Sequence, residues 1–267
     1  MKNLACILGT AISLTSIVHA NCGLDHCPRL APGEAPFHHS VSLQIKHTAF
    51  SLDSSSGSYQ EMQIRYEYAG IHHWVFGGTL PVIALTTQSE THYGISSPLL
   101  YSSWYSQLNK TGMVYLGMQL EPPFGNADEG MGTDHLMLVP YALIEQSFGS
   151  TYLLGSLGYS QAFALHHHDG GEEHPLFVNP HEDREMLFRL GAGFRALENK
   201  LTPQVTLNGG YAVVDELERA GRPHIVGGLS LGYRLKPNLT LTPSVELPLN
   251  SPKRFDWSTG MEVKGAF

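Results

Sequence analysis

Histidine is frequent in this chain, with 15 copies among 267 residues, and many of the copies are clustered. One segment brings imidazole and carboxylate groups close together in sequence. Its candidate metal ligands are His166, His167, His168, Asp169, Glu172, Glu173, His174 and His181. Imidazole with carboxylate suits zinc, nickel or copper(II). The segment therefore predicts a divalent-metal site. A solvated acidic loop without a specific role, or a loop that responds to pH through histidine protonation, are the alternatives.

Two cysteines near the start of the chain form a second candidate pair. Cys22 and Cys27 stand in Cys-Gly-Leu-Asp-His-Cys. In an oxidising compartment such a pair forms a disulfide that closes a short loop. The alternative is a soft-metal site in which His26 joins the two sulfurs.

Catalytic patterns are absent from the sequence. It contains neither the strand-turn-helix serine motif of hydrolases nor a His-Glu-x-x-His pair, and a catalytic triad needs placed partners. We expect no enzyme activity and no required cofactor. A hydrolase with its site at the rim of a membrane protein remains an alternative.

The first residues look like an export signal. Lys2 precedes an apolar run, and Val18-His19-Ala20 provides small residues where a signal peptidase cleaves. We predict a signal peptide at 1–20, a proline-rich segment at 21–38 and one barrel domain at 39–267. The formal charge of the whole chain is −8, and an acidic exported protein is a poor nucleic-acid binder. After residue 20 no apolar run is long enough for a membrane helix.

The end of the chain alternates with a period of two. Trp257, Thr259, Met261, Val263 and Phe267 interleave with Ser258, Glu262 and Lys264, which indicates a strand with one apolar and one polar face. Segments of similar character predict strands at 39–51, 59–69, 73–80, 96–106, 110–121, 134–146, 150–161, 184–195, 201–213, 223–234, 238–247 and 254–267. Most have the ~9–11 residues of a tilted membrane-spanning strand.

The connections between these segments fall into two alternating classes. Tight turns lie near residues 70, 108, 148, 198 and 236, and longer loops are expected at 52–58, 81–95, 122–133, 162–183 and 214–222. This order is typical of an up-and-down transmembrane β-barrel with short periplasmic turns and longer outer loops. We therefore predict an all-β, antiparallel barrel of about 12 strands in the outer membrane of a Gram-negative bacterium. The histidine-rich segment then lies on the longest outer loop.

Aromatic residues and prolines test that topology. The topology places Tyr66, Trp74, Tyr105, Tyr233 and Phe267, among others, at periplasmic strand ends. Tyr159, Tyr211, Phe255 and Trp257 lie toward the outer ends, and we expect both groups to form lipid-interface girdles. Pro140 and Pro243 fall inside predicted strands, where each removes a ladder hydrogen bond. We expect a bulge at these positions or a strand boundary displaced from them.

The polar faces of the strands predict which residues line the lumen. They are Lys46, Glu61, Arg65, Glu67, Glu121, Arg189, Arg195, Glu246, Glu262 and Lys264. Both signs are present, so these charges can pair across strands in a wet interior or line a selective path. A barrel of this size has either a restricted channel or a plug, and residues 21–38 are long enough to enter it.

The middle of the chain resembles a known family. The carrying segments are Gly77-Gly78-Thr79-Leu80-Pro81, Tyr93-Gly94-Ile95-Ser96-Ser97-Pro98-Leu99, Leu116 to Gly125, and Gly130-Met131-Gly132-Thr133-Asp134. Their order is similar to that in the outer-membrane transporter family of the MetA pathway of phenol degradation, which is distantly similar to fatty-acid channels. Gly94-Ile95-Ser96-Ser97 lacks the family's Gly-Asp, and Pro123-Phe124-Gly125 replaces its Pro-Thr-Gly. The resemblance implies a barrel of transporter type.

Together these observations predict an outer-membrane channel for small solutes, either metal ions or small aromatic and hydrophobic compounds. Its expected partners are membrane lipid, the permeant, and the barrel-insertion machinery through the C-terminal strand, with no nucleic acid. The alternative is a non-transporting surface barrel that binds a ligand or a metal through its outer loops.

Overall fold

Every element of the described chain is a β-strand. The computed structural model describes residues 39–52, 55–71, 73–87, 90–125, 131–133, 135–164, 178, 184–214, 223–251 and 253–267. The strands are β1 (His39–Leu52), β2 (Ser55–Ile71), β3 (Trp74–Thr87), β4 (Glu90–Ile95), β5 (Leu99–Asn109), β6 (Gly112–Glu121), β7 (His135–Phe148), β8 (Thr151–Ala164), β9 (Arg184–Phe194), β10 (Leu201–Val214), β11 (Pro223–Lys236), β12 (Leu239–Pro248) and β13 (Trp257–Ala266). Among these residues, none forms a helix long and apolar enough to cross a membrane.

The strands form because their side chains alternate between two environments. In β1 the apolar Val41, Leu43 and Ile45 are exposed, whereas the polar residues between them are buried. Successive residues of a strand point to opposite faces, so the apolar side chains lie outside the barrel and the polar ones inside it. A water-soluble sheet would have the reverse arrangement, and this inversion is typical of a barrel in lipid.

The sheet closes on itself and each strand is antiparallel to its neighbours. β1 pairs with both β2 and β13, and the remaining strands follow in chain order around the wall. β3 is bordered by two short partners, β4 toward one end and β5 toward the other. Because β4 and β5 occupy one position in the wall, the 13 segments build a barrel of 12 strands. The predicted fold class and strand count are confirmed.

The break between β4 and β5 lies at residues 96–98. β3 pairs with β4 as far as Val82↔Ile95 and with β5 from Thr79↔Leu99. The backbone N–H of Ser96 donates to the carbonyl of Pro81 at 3.1 Å. Pro98 has no N–H to offer to the ladder, which accounts for the interruption.

The two ends of the barrel differ. At the terminal end, where His39 and Phe267 exchange two backbone hydrogen bonds of 2.9 and 3.1 Å, the connections are tight. At the opposite end, the loop end, lie the connections β6–β7, β8–β9, β10–β11 and β12–β13.

Two loops expected at the loop end are instead strand hairpins. Within the expected loop 52–58, β2 already begins at Ser55, and Ser55 pairs with Leu52 at the end of β1. In the expected loop 81–95, β3 continues to Thr87 and pairs with β4. Neither segment alternates clearly, because the first is rich in serine and the second begins with the apolar run Val82-Ile83-Ala84-Leu85. Strands outside a lipid core need only backbone pairing, so the prediction was wrong there.

Pro140 and Pro243 lie within strands, without the bulges that we expected. β7 pairs with β8 at Leu138↔Gln161 and again at Tyr141↔Gly158, so the ladder has a gap at Pro140 but no change of register. β11 and β12 have a similar gap opposite Pro243. Each proline still pairs with the strand on its other side. A missing N–H therefore removes bonds to one neighbour only.

The aromatic residues that we expected in the two belts lie on the outside near both ends, with two exceptions. Tyr66, Trp74 and Tyr233 are exposed toward the terminal end, and Tyr211 and Trp257 toward the loop end. Such belts suit the two lipid–water interfaces. Tyr105 and Phe255, which we expected in the belts, are buried. Tyr105 belongs to an internal apolar cluster, and Phe255 precedes β13 and turns inward.

Candidate functional site

Glu67 is the centre of a polar network inside the terminal end. Its Oε2 accepts hydrogen bonds from Lys264 Nζ at 2.6 Å and from Ser40 Oγ at 2.8 Å. Its Oε1 accepts from the Tyr101 hydroxyl at 2.9 Å. These donors come from β13, β1 and β5, so one carboxylate of β2 connects four strands of the wall.

A second ion pair lies farther toward the loop end. Lys46 Nζ is 3.7 Å from Glu246 Oε2, and the two side chains are 3% and 0% exposed. Glu61 is the cross-strand partner of Lys46 in the β1–β2 register. Gln63 donates to Glu61 at 3.3 Å, and Arg65 donates to Gln63 at 3.5 Å. Charges of both signs thus alternate along this wall.

Seven of the ten residues predicted to line the lumen lie on this wall. We call them the charged strip: Lys46, Glu61, Arg65, Glu67, Glu246, Glu262 and Lys264 of β1, β2, β12 and β13. The barrel closes here, since β1 and β13 are neighbours. Pairing of opposite charges offsets much of the desolvation cost that each buried charge would otherwise have.

The other three predicted residues are also turned inward but lie apart. Arg189 is fully buried on β9, within electrostatic reach of Glu246. Arg195, beyond the end of β9, is 3.6 Å from Glu145 and 5.1 Å from the centre of the Tyr152 ring. Glu121, at the loop end of β6, is buried beside Ser97.

The wall formed by β5 to β8 is lined by tyrosines. Tyr101, Tyr105, Tyr115, Tyr141 and Tyr152 are all buried. The sequence prediction missed this wall because β6 and β7 alternate poorly: several of their inward residues are as apolar as the outward ones. Inward apolar residues such as Met113, Val139 and Leu143 form one cluster with three of the tyrosines. The interior therefore has a charged wall and an aromatic wall.

Three of these tyrosines lie flat because glycine faces them. The cross-strand partner of Tyr101 is Gly77, that of Tyr141 is Gly117 and that of Tyr152 is Gly193. A Cβ on each glycine would overlap the tyrosine ring. The glycine thus lets the ring rest on the wall, and the Tyr152 hydroxyl crosses it to donate to Gln204 of β10 at 2.8 Å.

Apolar side chains fill the interior at the loop end. We call this group the loop-end cluster: Phe50, Tyr59, Ile83, Leu85, Met131, Val178, Val226 and Phe255. Five of them point inward from β1, β2, β3 and β11. The other three, Met131, Val178 and Phe255, lie in the connections β6–β7, β8–β9 and β12–β13. All are at most 5% exposed.

Met131 is held in this cluster by hydrogen bonds around Ser97. Ser97 Oγ donates to the Phe124 carbonyl at 2.8 Å and accepts from the Thr133 N–H at 3.2 Å. Phe124 and Thr133 also form an isolated bridge. Gly125 has a φ of 93°, a conformation that a side chain would strain. The strand break at 96–98 thus provides the anchor for residues 131–133.

Phe255 is held by a second set of contacts. Asn250 accepts from the Ile225 N–H at 2.7 Å and donates to the Pro223 carbonyl at 2.6 Å. The Asp256 N–H donates to the Ala49 carbonyl at 2.7 Å, and the Asp256 carboxylate accepts from Ser51 at 2.6 Å and from Lys253. Burial raises the pKa of the Asp256 carboxyl, but the hydrogen bonds from Lys253 and Ser51 outweigh it and hold the pKa below the usual aspartate value.

A further buried polar group lies near this loop. Arg254 donates to Glu185 of β9, and His224 Nδ1 of β11 is 4.0 Å from the same carboxylate oxygen. None of the three was predicted from the sequence, and neither was Glu145. Arg254 precedes the last strand in a connection, where no period of two distinguishes inward from outward residues.

The candidate metal ligands lie outside the described residues. These are His166, His167, His168, Asp169, Glu172, Glu173, His174 and His181, and the same holds for Cys22, Cys27 and the segments 1–20 and 21–38. Within the described ranges, no group of three or more His, Cys, Asp or Glu side chains is arranged to hold a metal ion. The metal and disulfide assignments therefore stay predictions.

Solved structures with this fold are outer-membrane proteins. An outer-membrane channel from Pseudomonas putida F1 is similar with a TM-score of 0.69 and 10% sequence identity, over 90% of this chain and 100% of that chain. The KdgM porin gives a TM-score of 0.52 at 12% identity, over 85% and 99% of the two chains. The NanC porin gives 0.51 at 10% identity, over 84% and 98%.

At these identities the similarity establishes the fold, that of an outer-membrane β-barrel. No protein-family model matches the sequence. No curated protein matches it either.

Proposed function

We propose that this protein is a channel for small solutes in the outer membrane of a Gram-negative bacterium, with no catalytic step. The observation that carries the proposal is the inverted wall: a closed barrel with apolar side chains outside and a charged strip inside. A polar interior that crosses a lipid layer is what a passive channel requires.

The interior side chains define the proposed path. It runs between the charged strip and the tyrosine wall, with Arg189, Arg195 and Glu121 beside it. Balanced charges of both signs leave no strong field that would admit ions of one sign alone. Aromatic faces opposite them suit solutes that have both an apolar and a polar part. Small aromatic compounds fit this description better than bare metal ions do.

The structural neighbours support the channel function without identifying the solute. One is a channel and two are porins, and one KdgM structure holds a disordered oligogalacturonate. The resemblance to the transporter family of the MetA pathway points the same way. Export through a signal peptide at 1–20, insertion by way of the C-terminal strand, and a Cys22–Cys27 disulfide belong to the same proposal.

Purified protein in lipid vesicles tests the channel function. We expect release of entrapped small solutes, with neutral and charged aromatic compounds as the first probes and an unrelated closed barrel as the control. Correct folding is checked by far-ultraviolet circular dichroism. Folded protein that releases no solute, either as wild type or with Met131 and Phe255 replaced by serine, contradicts the proposal.

The histidine-rich segment is proposed to bind a divalent metal at the cell surface. The support is its composition, since imidazole and carboxylate ligands suit zinc, nickel and copper. Calorimetry with each ion compares the intact protein with a variant that lacks residues 166–174. We expect tighter binding by the intact protein, and equal affinities would contradict this assignment.

A second candidate function is a surface barrel that binds a ligand without transporting it. The loop-end cluster favours it, because this cluster fills the interior where a solute would enter. Replacing the outer loops would then abolish ligand binding. Vesicles that contain the protein would be no more permeable than protein-free vesicles, with or without the replacement.

A further inference from the structure

We propose that Met131 and Phe255 form an apolar gate at the loop end, which excludes hydrated ions from the interior and opens when residues 131–133 and 253–256 move. The inference rests on the proposed channel function and adds the residues that control entry. It concerns selectivity against ions, which the charged interior alone would not provide.

The interior is layered along the barrel axis, and β1 shows this directly. Its inward residues change from Ser40, Ser42 and Gln44 to Lys46 and Thr48, and then to Phe50. On β2 the change comes one inward position closer to the charges, because Tyr59, the cross-strand partner of Thr48, lies next to the charged Glu61 on the side of the loop end. The Phe50 and Tyr59 rings have centroids 6.5 Å apart. An apolar layer therefore lies directly above the charged strip.

Strands provide only part of this layer. Its members on the wall come from β1, β2, β3 and β11, so residues from the connections must fill the remaining width. Met131, which is 0% exposed, enters from the β6–β7 connection next to Gly94. Phe255, which is 2% exposed, enters from the β12–β13 connection. Both are the inward members of loops whose neighbouring apolar residues, Phe124 and Leu249, are exposed.

An apolar constriction blocks ions because water leaves it. A narrow ring without hydrogen-bonding groups dewets, and an ion would then have to shed its hydration shell in order to pass. The burial of Lys46 and Glu246 below the layer agrees with an interior that is shielded at this end. An apolar or aromatic solute has no such shell to lose.

A few polar contacts hold the segments that carry Met131 and Phe255. Ser97 anchors residues 131–133, and Asp256 with Asn250 anchors the segment before β13. A hydrogen bond within a protein contributes little net free energy, because breaking it frees both groups to bond to water instead. Opening therefore requires the exchange of a few such bonds for bonds to water, together with exposure of two apolar side chains.

Ion current across planar bilayers tests the gate. Met131→Ser and Phe255→Ser make the layer polar, and each is expected to raise the mean potassium chloride current per inserted barrel severalfold over wild type. Phe124→Ser and Leu249→Ser are the matched controls, since they make the same change on exposed residues of the same two loops. The controls are expected to conduct like wild type.

The outcomes separate the gate from the channel itself. Suppose that the wild type releases aromatic solutes from vesicles, but that wild type, Met131→Ser and Phe255→Ser carry equal ion currents. This result overturns the proposed gate and leaves the proposed channel function intact. A rise in the controls as large as in the gate variants also overturns it. If no chain passes solutes or ions while circular dichroism shows folded barrels, the channel function fails and the gate with it.

Discussion

At the scale of the residue, the interior depends on pairs in which one side chain makes room for another. Glycine opposite tyrosine is the clearest case, as in Gly193 and Tyr152. A residue that appears featureless in the sequence thus decides how far an aromatic ring projects into the interior. Charged residues show the same dependence, because Glu67 is satisfied by donors from three other strands.

Substitution of Gly193 tests the tyrosine packing. Gly193→Ala is expected to lower the free energy of unfolding by about 1–3 kcal/mol, the usual cost of an overpacked site. The reason is that the new Cβ would meet both the Tyr152 ring and the Pro203 carbonyl. Gly155→Ala is the control, since its Cβ would only reach ordinary contact with Leu190 at 3.8 Å. Urea titration in lipid vesicles measures both, and equal stability of the two variants would contradict the packing.

Glu67 provides a second test at this scale. Glu67→Gln leaves Lys264 without its carboxylate inside the barrel, and breaking a buried pair costs about 3–5 kcal/mol. Because the two side chains keep 10% and 13% exposure, we expect the lower end of that range. Glu90→Gln, an exposed change in β4, should stay within about 0.5 kcal/mol of wild type. A Glu67→Gln variant as stable as Glu90→Gln would exclude a structural role of the network.

At the scale of the element, period-two alternation predicts strands well where lipid lies on one side and polar groups on the other. β1, β2 and β13 have that pattern, and their predicted bounds are close to the observed ones. The pattern fails where both faces are apolar, as in β6 and β7, and where neither is, as in the serine-rich start of β2. Seven of the ten predicted interior charges lie on one wall. They are close together only because β1 pairs with β13, which joins the first strand to the last. The three members of the loop-end cluster that lie in connections, Met131, Val178 and Phe255, could not be predicted, because residues in connections have no period.

The connection between β12 and β13 has a testable dependence on pH. The pKa of Asp256 is lowered in the folded chain, so its hydrogen bonds contribute their full stability above the ordinary aspartate pKa. That stability is lost as the pH falls through the lowered pKa. Limited proteolysis of residues 249–256 should therefore be slow at neutral pH and faster in strong acid. Asp256→Asn should be cut faster than wild type at neutral pH, with the difference disappearing in acid, and a constant difference at every pH would contradict the role of the carboxylate.

At the scale of the whole molecule, the outer face of the barrel is suited to a surrounding lipid layer. Exposed apolar side chains cover the outside of every long strand, and the aromatic residues at both ends mark the limits of this band. A charged residue on the outer face destabilises the barrel most at the middle of the bilayer. The loss of stability therefore depends on the position of the substitution along the strand.

Two leucines of β11 test this arrangement. Leu229 lies near the middle of the strand and Leu235 near its terminal end, and both are more than half exposed. Leu229→Arg should destabilise the inserted barrel by about 2–4 kcal/mol, and Leu235→Arg by about 0–1 kcal/mol. Reversible unfolding in vesicles measures the difference. Equal costs would show that the band does not match the bilayer.

Solute release from vesicles shows whether small solutes cross the interior of this barrel. We expect folded wild-type protein to release entrapped small aromatic solutes at a rate proportional to the number of barrels per vesicle. We also expect Met131→Ser and Phe255→Ser to raise the accompanying ion current. Folded barrels that leave vesicles as tight as protein-free ones, with or without those substitutions, would contradict the passage of solutes through the barrel.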